Sequence, residues 1–447
     1  MNITELEKIT KQIKKYQLED EIIDIENWLR NLNEKRIKNF ISLDIYPLNK
    51  ISKFKFLLVN QEVLNSDYYV EDMMFVNNAK SDVIAGYLIN VAMNKNSLES
   101  NYHKEDMKLI SNTKNDNIAE CLRNVAMNKN SLESNYHKED MELIANAKSD
   151  YIAICLRNVA MDKNSLESDH HREDMKLISN TKNDNIAECL IGVAENKNSL
   201  ESNYHKEDME LIANARSNDI AICLRNVAMD KNLLESDHHK EDMELIANAK
   251  NDVIARCLGG VAVNRNSLES DHHREDMKLI ANAKSYYIAK CLNRVAMDKN
   301  SLESKHHRED IELISNAKSD EIDSCLIYLA IDKNSLESEY HREDMKLIAD
   351  EKNSEIACYL YFVAENKNSL ESKYHKEDMK RLLDAKDDCD AKEIYNNIIK
   401  QYEVQNKKEE SNYVTFQEKI DAIHQNAKEY IDGDTTKELD DSVFVLK

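Results

Sequence analysis

The chain has few of the residues that most folds use to turn the backbone. Its 447 residues include only 5 Gly and 1 Pro. Because sandwiches, barrels and doubly wound sheets need Gly and Pro at their turns, this scarcity excludes them and predicts an almost entirely helical, all-α chain. The length exceeds what one hydrophobic core usually holds, so several domains or an array of repeats is expected.

The chain also has fewer basic than acidic residues, and it has no long apolar run. The 61 Lys and Arg residues are outnumbered by 84 Asp and Glu residues, for a net charge of −23. This balance argues against sequence-independent binding to nucleic acid or to anionic membranes. No stretch approaches the ~18 apolar residues of a membrane span, and the N-terminus is charged from Glu5 onward. We therefore expect no nucleic-acid partner, no membrane partner and a cytoplasmic location.

An internal repeat organises most of the chain. The motif Asn-Ser-Leu-Glu-Ser begins at Asn96 and returns every 34 residues, with the variant Asn-Leu-Leu-Glu-Ser at Asn232. A degenerate copy precedes Asn96, so about ten units cover residues 62–401. A strict period of this length predicts a solenoid, in which each unit buries its apolar face against its neighbours.

Each unit has the pattern of two helices. In the unit that starts at Asn96, we expect helix A from about Ser100 to Thr113 and helix B from about Asn117 to Met127. The turn that follows leads into the next unit, with Leu132 as its expected apolar anchor. Helix B carries a contiguous apolar stripe formed by Ile118, Ala119, Cys121, Leu122, Val125 and Ala126.

This arrangement resembles the α-solenoid class of helix-turn-helix repeats, and its period matches that of the tetratricopeptide repeat. The resemblance covers about three quarters of the chain and concerns the period and the helix pattern alone. The tetratricopeptide signature, a Trp-x-x-Leu-Gly-x-x-Tyr run followed by spaced Ala and Pro, is absent. The resemblance implies a right-handed superhelix and no named family.

The two ends of the chain depart from the repeat and are predicted to cap it. Residues 1–61 have a divergent amphipathic pattern typical of a helical cap, and residues 402–431 of a helical extension. The acidic tail, residues 432–447, is expected to be disordered. The alternative is that it is a docking peptide or folds back on the array.

Histidines recur in the repeats but do not indicate a unique catalytic site. They stand mostly in a His-Lys/Arg-Glu-Asp motif, such as His103 with Asp106, in which the two side chains lie three residues apart on a helix. A His–Asp pair can serve as a general base, but catalysis needs one preorganised site and this pair recurs throughout the array. We therefore favour a hydrogen-bond ladder between stacked repeats. Adjacent histidines such as His170 and His171 point about 100° apart on a helix, so no metal site or other cofactor is predicted.

Cysteines repeat in the same way. Eight of the nine lie in successive B helices, where Cys358 is displaced by one position from the series. Neighbours should be about 9–10 Å apart, which exceeds the Cα separation that a disulfide tolerates. We expect buried free thiols in a reducing compartment.

The variable positions of helix B are the candidate binding face. The positions equivalent to 117, 120, 123 and 124 change between units while the apolar stripe is constant. Drift on a solvated surface would explain the variation, but large apolar residues on an exposed face usually mark an interaction surface. Four of the five glycines also lie there, and close approach of a partner or a bend at Gly259 and Gly260 would explain them. The predicted partner-binding residues are Tyr151, Ile154, Ile222, Tyr286, Tyr287, Ile327, Tyr328, Tyr361 and Phe362.

Two functions from different classes follow from these patterns. The first is a non-enzymatic scaffold that binds a protein or peptide through the variable face of helix B. The alternative is an acidic decoy or inhibitor that binds a basic protein, for example one that binds nucleic acid, through its distributed negative charge. An enzyme ranks third, because no unique constellation of reactive side chains is visible.

Overall fold

The computed structural model describes residues 66–405, which form 29 helices and no strand. The chain divides into two compact units, with the boundary after Asn214. The first unit contains α1 Tyr69–Asn77, α2 Asp82–Ala92, α3 Lys95–Leu98, α4 His103–Asn112, α5 Asp116–Met127, α6 Lys129–Glu133, α7 His137–Ala145, α8 Asp150–Met161, α9 Lys163–Glu167, α10 His171–Asn180, α11 Asp184–Ala194, α12 Lys197–Leu200 and α13 His205–Ala213. The second unit contains α14 Asn218–Met229, α15 Lys231–Leu234, α16 His239–Ala247, α17 Asp252–Val263, α18 Arg265–Leu268, α19 His273–Asn282, α20 Tyr286–Met297, α21 Lys299–Leu302, α22 His307–Ser315, α23 Asp320–Ile331, α24 Lys333–Glu337, α25 His341–Asp350, α26 Ser354–Ala364, α27 Lys367–Leu370, α28 His375–Leu383 and α29 Asp388–Gln405.

The repeating helices confirm the prediction of an all-α solenoid. We call the first helix of each repeat the A helix (α1, α4, α7 and onward) and the second the B helix (α2, α5, α8 and onward). Within each unit, A helices pack beside neighbouring A helices and B helices beside neighbouring B helices. The apolar stripe of the B helices is buried as predicted, and in α5 it consists of Ile118, Ala119, Cys121, Leu122, Val125 and Ala126.

The helix ends follow from local polar residues. Helix α5 begins after Asn115, whose side chain accepts hydrogen bonds from the backbone amides of Asn117 and Ile118. Helix α4 starts at His103, later than the sequence pattern predicts. The cause is Ser100, whose hydroxyl accepts from the backbone amide of Tyr102 and holds the chain in a turn before the helix.

A third, short helix in each repeat is absent from the sequence prediction. In α6, Asn128 caps the start of the helix by accepting from the amide of Ser131. Leu132, the predicted anchor of this turn, is half-buried, and Ser131 beside it is fully buried. Ser131 is held there by a 2.9 Å hydrogen bond between its hydroxyl and Nδ1 of His137.

Lysines at the ends of the A helices connect neighbouring repeats. Lys148 Nζ donates to the carbonyl of Asn180 at 2.8 Å, and Lys318 Nζ donates to the carbonyl of Asp350 at the same distance. Each of these carbonyls belongs to the last turn of the next A helix. The lysine therefore satisfies a backbone acceptor and compensates the negative end of the helix dipole.

The capping residues of the B helices make a second connection. The hydroxyl of Ser81 donates to Asp116 at 2.6 Å, and the side-chain amide of Asn353 donates to Asp388 at 2.7 Å. Asp116 and Asp388 lie in the first turn of the following B helix, where a carboxylate is favoured by the helix dipole. One B helix therefore positions the start of the next.

The last described helix, α29, closes the second unit. A helix was predicted from about Asp388 to Val404, and its presence is confirmed. The Tyr402 hydroxyl donates to Asp378, taking the role that the histidine of a following repeat has elsewhere. The predicted cap over 1–61, the extension beyond residue 405 and the tail over 432–447 lie outside the described residues.

Candidate interaction face

Three of the predicted partner-binding side chains are exposed. Tyr151 in the first unit is 38% exposed, and in the second unit Ile222 and Tyr286 are 40% and 38% exposed. Ile154 and Tyr328 are half-buried. Exposed apolar surface is therefore present on B helices of both units.

Four other predicted residues are buried, so the expectation that they form an exposed face is wrong. Tyr287, Ile327, Tyr361 and Phe362 are each less than a tenth exposed. The cause is the close packing of one B helix on the next, which covers much of the variable face. The Tyr287 hydroxyl, for example, is hydrogen-bonded to the hydroxyl of Ser324 in the following B helix.

The aromatic residues near the end of the array pack the terminal helix. Phe362 lies 5.1 Å from Tyr361 and 6.1 Å from Tyr395, measured between ring centroids. Tyr359 lies 5.4 Å from the same Tyr395 ring. Because Tyr395 belongs to α29, the concentration of aromatics at this end reflects the docking of α29 on α26.

Two of the glycines on the variable face are explained by neighbouring helices. A Cβ atom placed on Gly259 would lie 3.2 Å from Cβ of Cys223, in the preceding B helix. A Cβ atom on Gly260 would lie 3.2 Å from Nδ2 of Asn293, which donates to the carbonyl of Cys257 at 2.8 Å. Close approach of adjacent B helices therefore accounts for these two glycines without an external partner.

A basic patch on the second unit was missed by the sequence prediction. It consists of Arg256 in α17 and Lys290 and Arg294 in α20. Arg256 is exposed and the other two are half-buried. The Arg294 guanidinium lies 5.1 Å from the centre of the Tyr328 ring, and the Lys290 amine lies 6.0 Å from that of Tyr286. Burial lowers the pKa of Lys290, and the positive charge of Arg256 acts in the same direction.

A charge count for each repeat would have found this patch. Residues 266–299 contain six Lys and Arg against five Asp and Glu, whereas residues 300–333 contain four against eight. Arg256 and Lys290 also occupy the helix position that holds Glu120 and Glu188 in the first unit. The charge at this one helix position is therefore negative at residues 120 and 188 in the first unit and positive at residues 256 and 290 in the second.

The repeated histidines form a buried ladder, as the sequence analysis favours. His137 Nε2 lies 2.9 Å from Oδ2 of Asp106 in the preceding repeat, and His137 Nδ1 lies 2.9 Å from the hydroxyl of Ser131. The partner aspartate is the one in the preceding repeat, whereas the sequence pattern pairs His103 with Asp106 in one motif. Equivalent bonds join His103, His171 and His205 to aspartates in the first unit and His273, His307, His341 and His375 to aspartates in the second.

The ladder contains Ser, His and Asp side chains, but substrate cannot reach them. Ser131 and His137 are 0% exposed and Asp106 is 2% exposed. Burial raises the pKa of Asp106, and the hydrogen bond from His137 opposes this rise. A neutral histidine that donates to the aspartate and accepts from the serine satisfies all three buried groups. The geometry therefore supports a structural role in joining repeats.

One B helix breaks the pattern with a buried acid. Asp323 in α23 stands where other B helices have a buried alanine, such as Ala289 and Ala357. Asp323 is 1% exposed, and its Oδ1 atom has no hydrogen-bond partner. Burial, together with the negative charges of Asp320 and Glu321, raises the pKa of Asp323 to about 8.

The cysteines are free thiols; eight of them are buried in the B helices from α5 to α26, whereas Cys389 in α29 is exposed. One pair is in contact through its side chains: the sulfur atoms of Cys325 and Cys358 lie 3.6 Å apart. The one-position displacement of Cys358 turns its side chain toward α23. Their shared burial and contact raise the pKa of the Cys325 thiol, which disfavours the reactive thiolate.

Residues 66–405 show neither a metal site nor a membrane-spanning helix. No group of three or more His, Cys, Asp or Glu side chains in this part of the chain is arranged to hold a metal ion. None of its helices combines the length and the apolar character that crossing a bilayer requires.

Comparison with known proteins identifies no relative: no family model matches the chain, and a search of curated proteins finds no significant match.

Proposed function

We propose that the protein is a non-enzymatic, cytoplasmic scaffold that binds a protein or peptide through exposed variable positions of its B helices. The observation that carries the proposal is the exposure of Ile222 and Tyr286, which are 40% and 38% exposed in the second unit. Large apolar side chains in water cost solvation free energy, and their presence on a surface is typical of interaction sites. The buried free thiols agree with a reducing compartment.

The burial of the aromatic residues near the end of the array narrows the candidate surface. The four buried residues of the predicted face pack between repeats: Tyr287, Ile327, Tyr361 and Phe362. Substituting them would therefore alter the stability of the fold and would not test partner binding alone. The surface that a partner can reach in the second unit contains Ile222, Tyr286 and the half-buried Tyr328.

The test is a comparison of two purified variants of the full chain. In the first, Ile222→Ser and Tyr286→Ser are combined; in the matched control, Tyr374→Ser alters an exposed tyrosine at the start of an A helix. Partners captured from the host by the wild-type chain are identified, purified and titrated against each variant. We expect the double variant to lose affinity at least tenfold, or about 1.4 kcal/mol, and the control to bind as the wild type does. Equal binding by all three proteins would refute the proposal.

An acidic decoy remains the alternative, and the net charge of −23 is the observation that favours it. Part of that charge is engaged within the array, however. Glu139 accepts from Arg172 at 2.8 Å and from Lys176 at 3.3 Å, and Glu309 makes the same pair of contacts with Arg342 and Lys346 at 2.7 Å each. The affinity for the partner at low and high salt separates the two functions. A steep fall in affinity would favour the decoy, because salt screens charge, whereas the affinity of an apolar interface should change little.

A further inference from the structure

The second unit brings basic side chains together in an otherwise acidic chain. Arg256 and Lys290 occupy equivalent positions in the adjacent helices α17 and α20, and their positive charges interact. Arg294 lies one turn further along α20, on the same side as Lys290. Between them, α17 and α20 contain a single acidic residue, Asp252, which is in the first turn of α17.

Aromatic and aliphatic side chains border this patch. Lys290 lies over the exposed ring of Tyr286, and Arg294 lies over the ring of Tyr328. Exposed Ile222 holds the equivalent position to Arg256 in the preceding B helix. A stacked guanidinium has a restricted orientation and gives up less freedom when it binds a carboxylate. The surface therefore offers fixed positive charges beside apolar contacts.

We propose that the patch formed by Arg256, Lys290 and Arg294 binds the carboxylates of an acidic peptide segment in a protein partner, while Ile222 and Tyr286 contact apolar residues of the same segment. This inference rests on the proposed function and names the chemistry of the partner. Charge complementarity carries it, because Lys290 and Arg294 lie within the one repeat among those from Asn96 to Lys367 whose basic residues outnumber its acidic ones, and Arg256 adds a third positive charge from the adjacent helix α17.

The negative charge of the rest of the chain adds selectivity. The net charge of −23 repels an acidic peptide over most of the molecule, whereas the patch attracts it locally. Half-burial of Lys290 and Arg294 strengthens that attraction, because partly desolvated charges are screened less by water and salt.

The test uses a fluorescent synthetic peptide of four Glu-Glu-Leu units, followed by anisotropy at moderate salt. The variant combines Arg256→Glu with Lys290→Glu, which introduces the residue that the equivalent position has at 120 and 188. The matched control combines Lys129→Glu with Lys163→Glu, two side chains that are 69% exposed in the short helices and that change the net charge equally. Circular dichroism checks that both variants are folded.

We expect the patch variant to lose affinity for the peptide at least tenfold and the control to lose less than threefold. An equal loss in both variants, or no binding by the wild type, would overturn the inference. Equal binding of a single-stranded oligonucleotide of the same charge would also overturn it, since the patch would then recognise anions in general.

Failure of this inference can be separated from failure of the proposed function. The natural partner captured by the wild type is titrated against the patch variant and against the Ile222→Ser, Tyr286→Ser variant. If only the apolar variant loses affinity, the proposed function stands and the acidic class of partner is wrong. If neither loses affinity, both are wrong.

Discussion

Each buried histidine of the ladder is hydrogen-bonded to a serine of its own repeat and to an aspartate of the preceding repeat, as His137 is to Ser131 and Asp106. We predict that His137→Leu lowers the free energy of unfolding by about 3–5 kcal/mol, because it leaves the carboxylate of Asp106 buried without its partner. Combining His137→Leu with Asp106→Leu should cost clearly less than the sum of the two single variants. Denaturant unfolding of the wild type, the two single variants and the double variant measures these free energies.

The exposed Lys138→Ala variant, next in sequence to His137, is the control and should leave the free energy of unfolding nearly unchanged. Additive effects of His137→Leu and Asp106→Leu would contradict direct coupling between the two side chains.

Asp323 is a buried acid whose removal should stabilise the protein. Its pKa of about 8 lies above the ordinary value of 3.8, so the folded state holds a proton that the unfolded state releases. Stability contributed by this group is therefore lost as the pH rises toward 8. We predict that Asp323→Ala raises stability by about 1 kcal/mol at pH 5 and by a few kcal/mol at pH 8.

The reverse change, Ala289→Asp or Ala357→Asp, is the control and should destabilise its repeat most strongly at pH 8. Thermal unfolding at both pH values measures the effects. An equal gain from Asp323→Ala at pH 5 and pH 8 would show that Asp323 stays ionised in the folded state.

Sequence alone identified the histidines and aspartates of the ladder but not how they pair. The spacing of His103 and Asp106 suggests a contact within one helix, whereas stacking places each histidine against the preceding aspartate. The role of Ser97 was missed because it lies six residues before His103, in a segment that resembles a turn. Contacts between repeats depend on the stacking distance, which a single repeat does not contain.

At the scale of helices, glycines in B helices differ in the space around them. A Cβ atom on Gly86 in α2 meets no atom within 4 Å, whereas one on Gly259 in α17 meets Cys223 at 3.2 Å. Alanine favours a helix over glycine by about 0.5–1 kcal/mol. We predict that Gly86→Ala raises stability by this amount and that Gly259→Ala gains less or destabilises, as measured by denaturant midpoints. A larger gain at Gly259 would contradict the close approach of α14 and α17.

The same packing explains why the candidate face was only partly predictable. Helix periodicity correctly separates the buried stripe of α20, including Ile288 and Leu292, from its variable positions. It does not show how closely the next B helix approaches, so Tyr287 was expected in solvent and is buried, while Tyr286 beside it is exposed. Exposure on a solenoid depends on both neighbours of each helix.

At the scale of the whole molecule, the period of 34 residues was sufficient to predict an all-α solenoid, because stacked repeats must present the same face to each neighbour. The division of the chain into two compact units at residue 214 has no counterpart in the sequence period. The change from Glu120 and Glu188 to Arg256 and Lys290 at one position of the B helices was visible in the sequence but was hidden in the net charge of the chain.

The repeat architecture also predicts how the protein tolerates deletions. Removing residues 130–163 takes out one period, so His171 would follow Asp106 by the spacing that now separates it from Asp140. Removing only residues 130–146 takes out one A helix, so that two B helices follow each other and the contacts between A helices are broken at that junction. We predict that the 34-residue deletion keeps the helical content per residue and unfolds cooperatively, with a midpoint only a few degrees lower, since one interface between repeats is lost.

The 17-residue deletion should lose helical content and expose apolar surface, because the aspartate, serine and lysine contacts then lack their partners. Circular dichroism and thermal melts compare the two deletions, and equal damage by both would show that contacts specific to individual repeats, rather than the shared ladder, hold the array together.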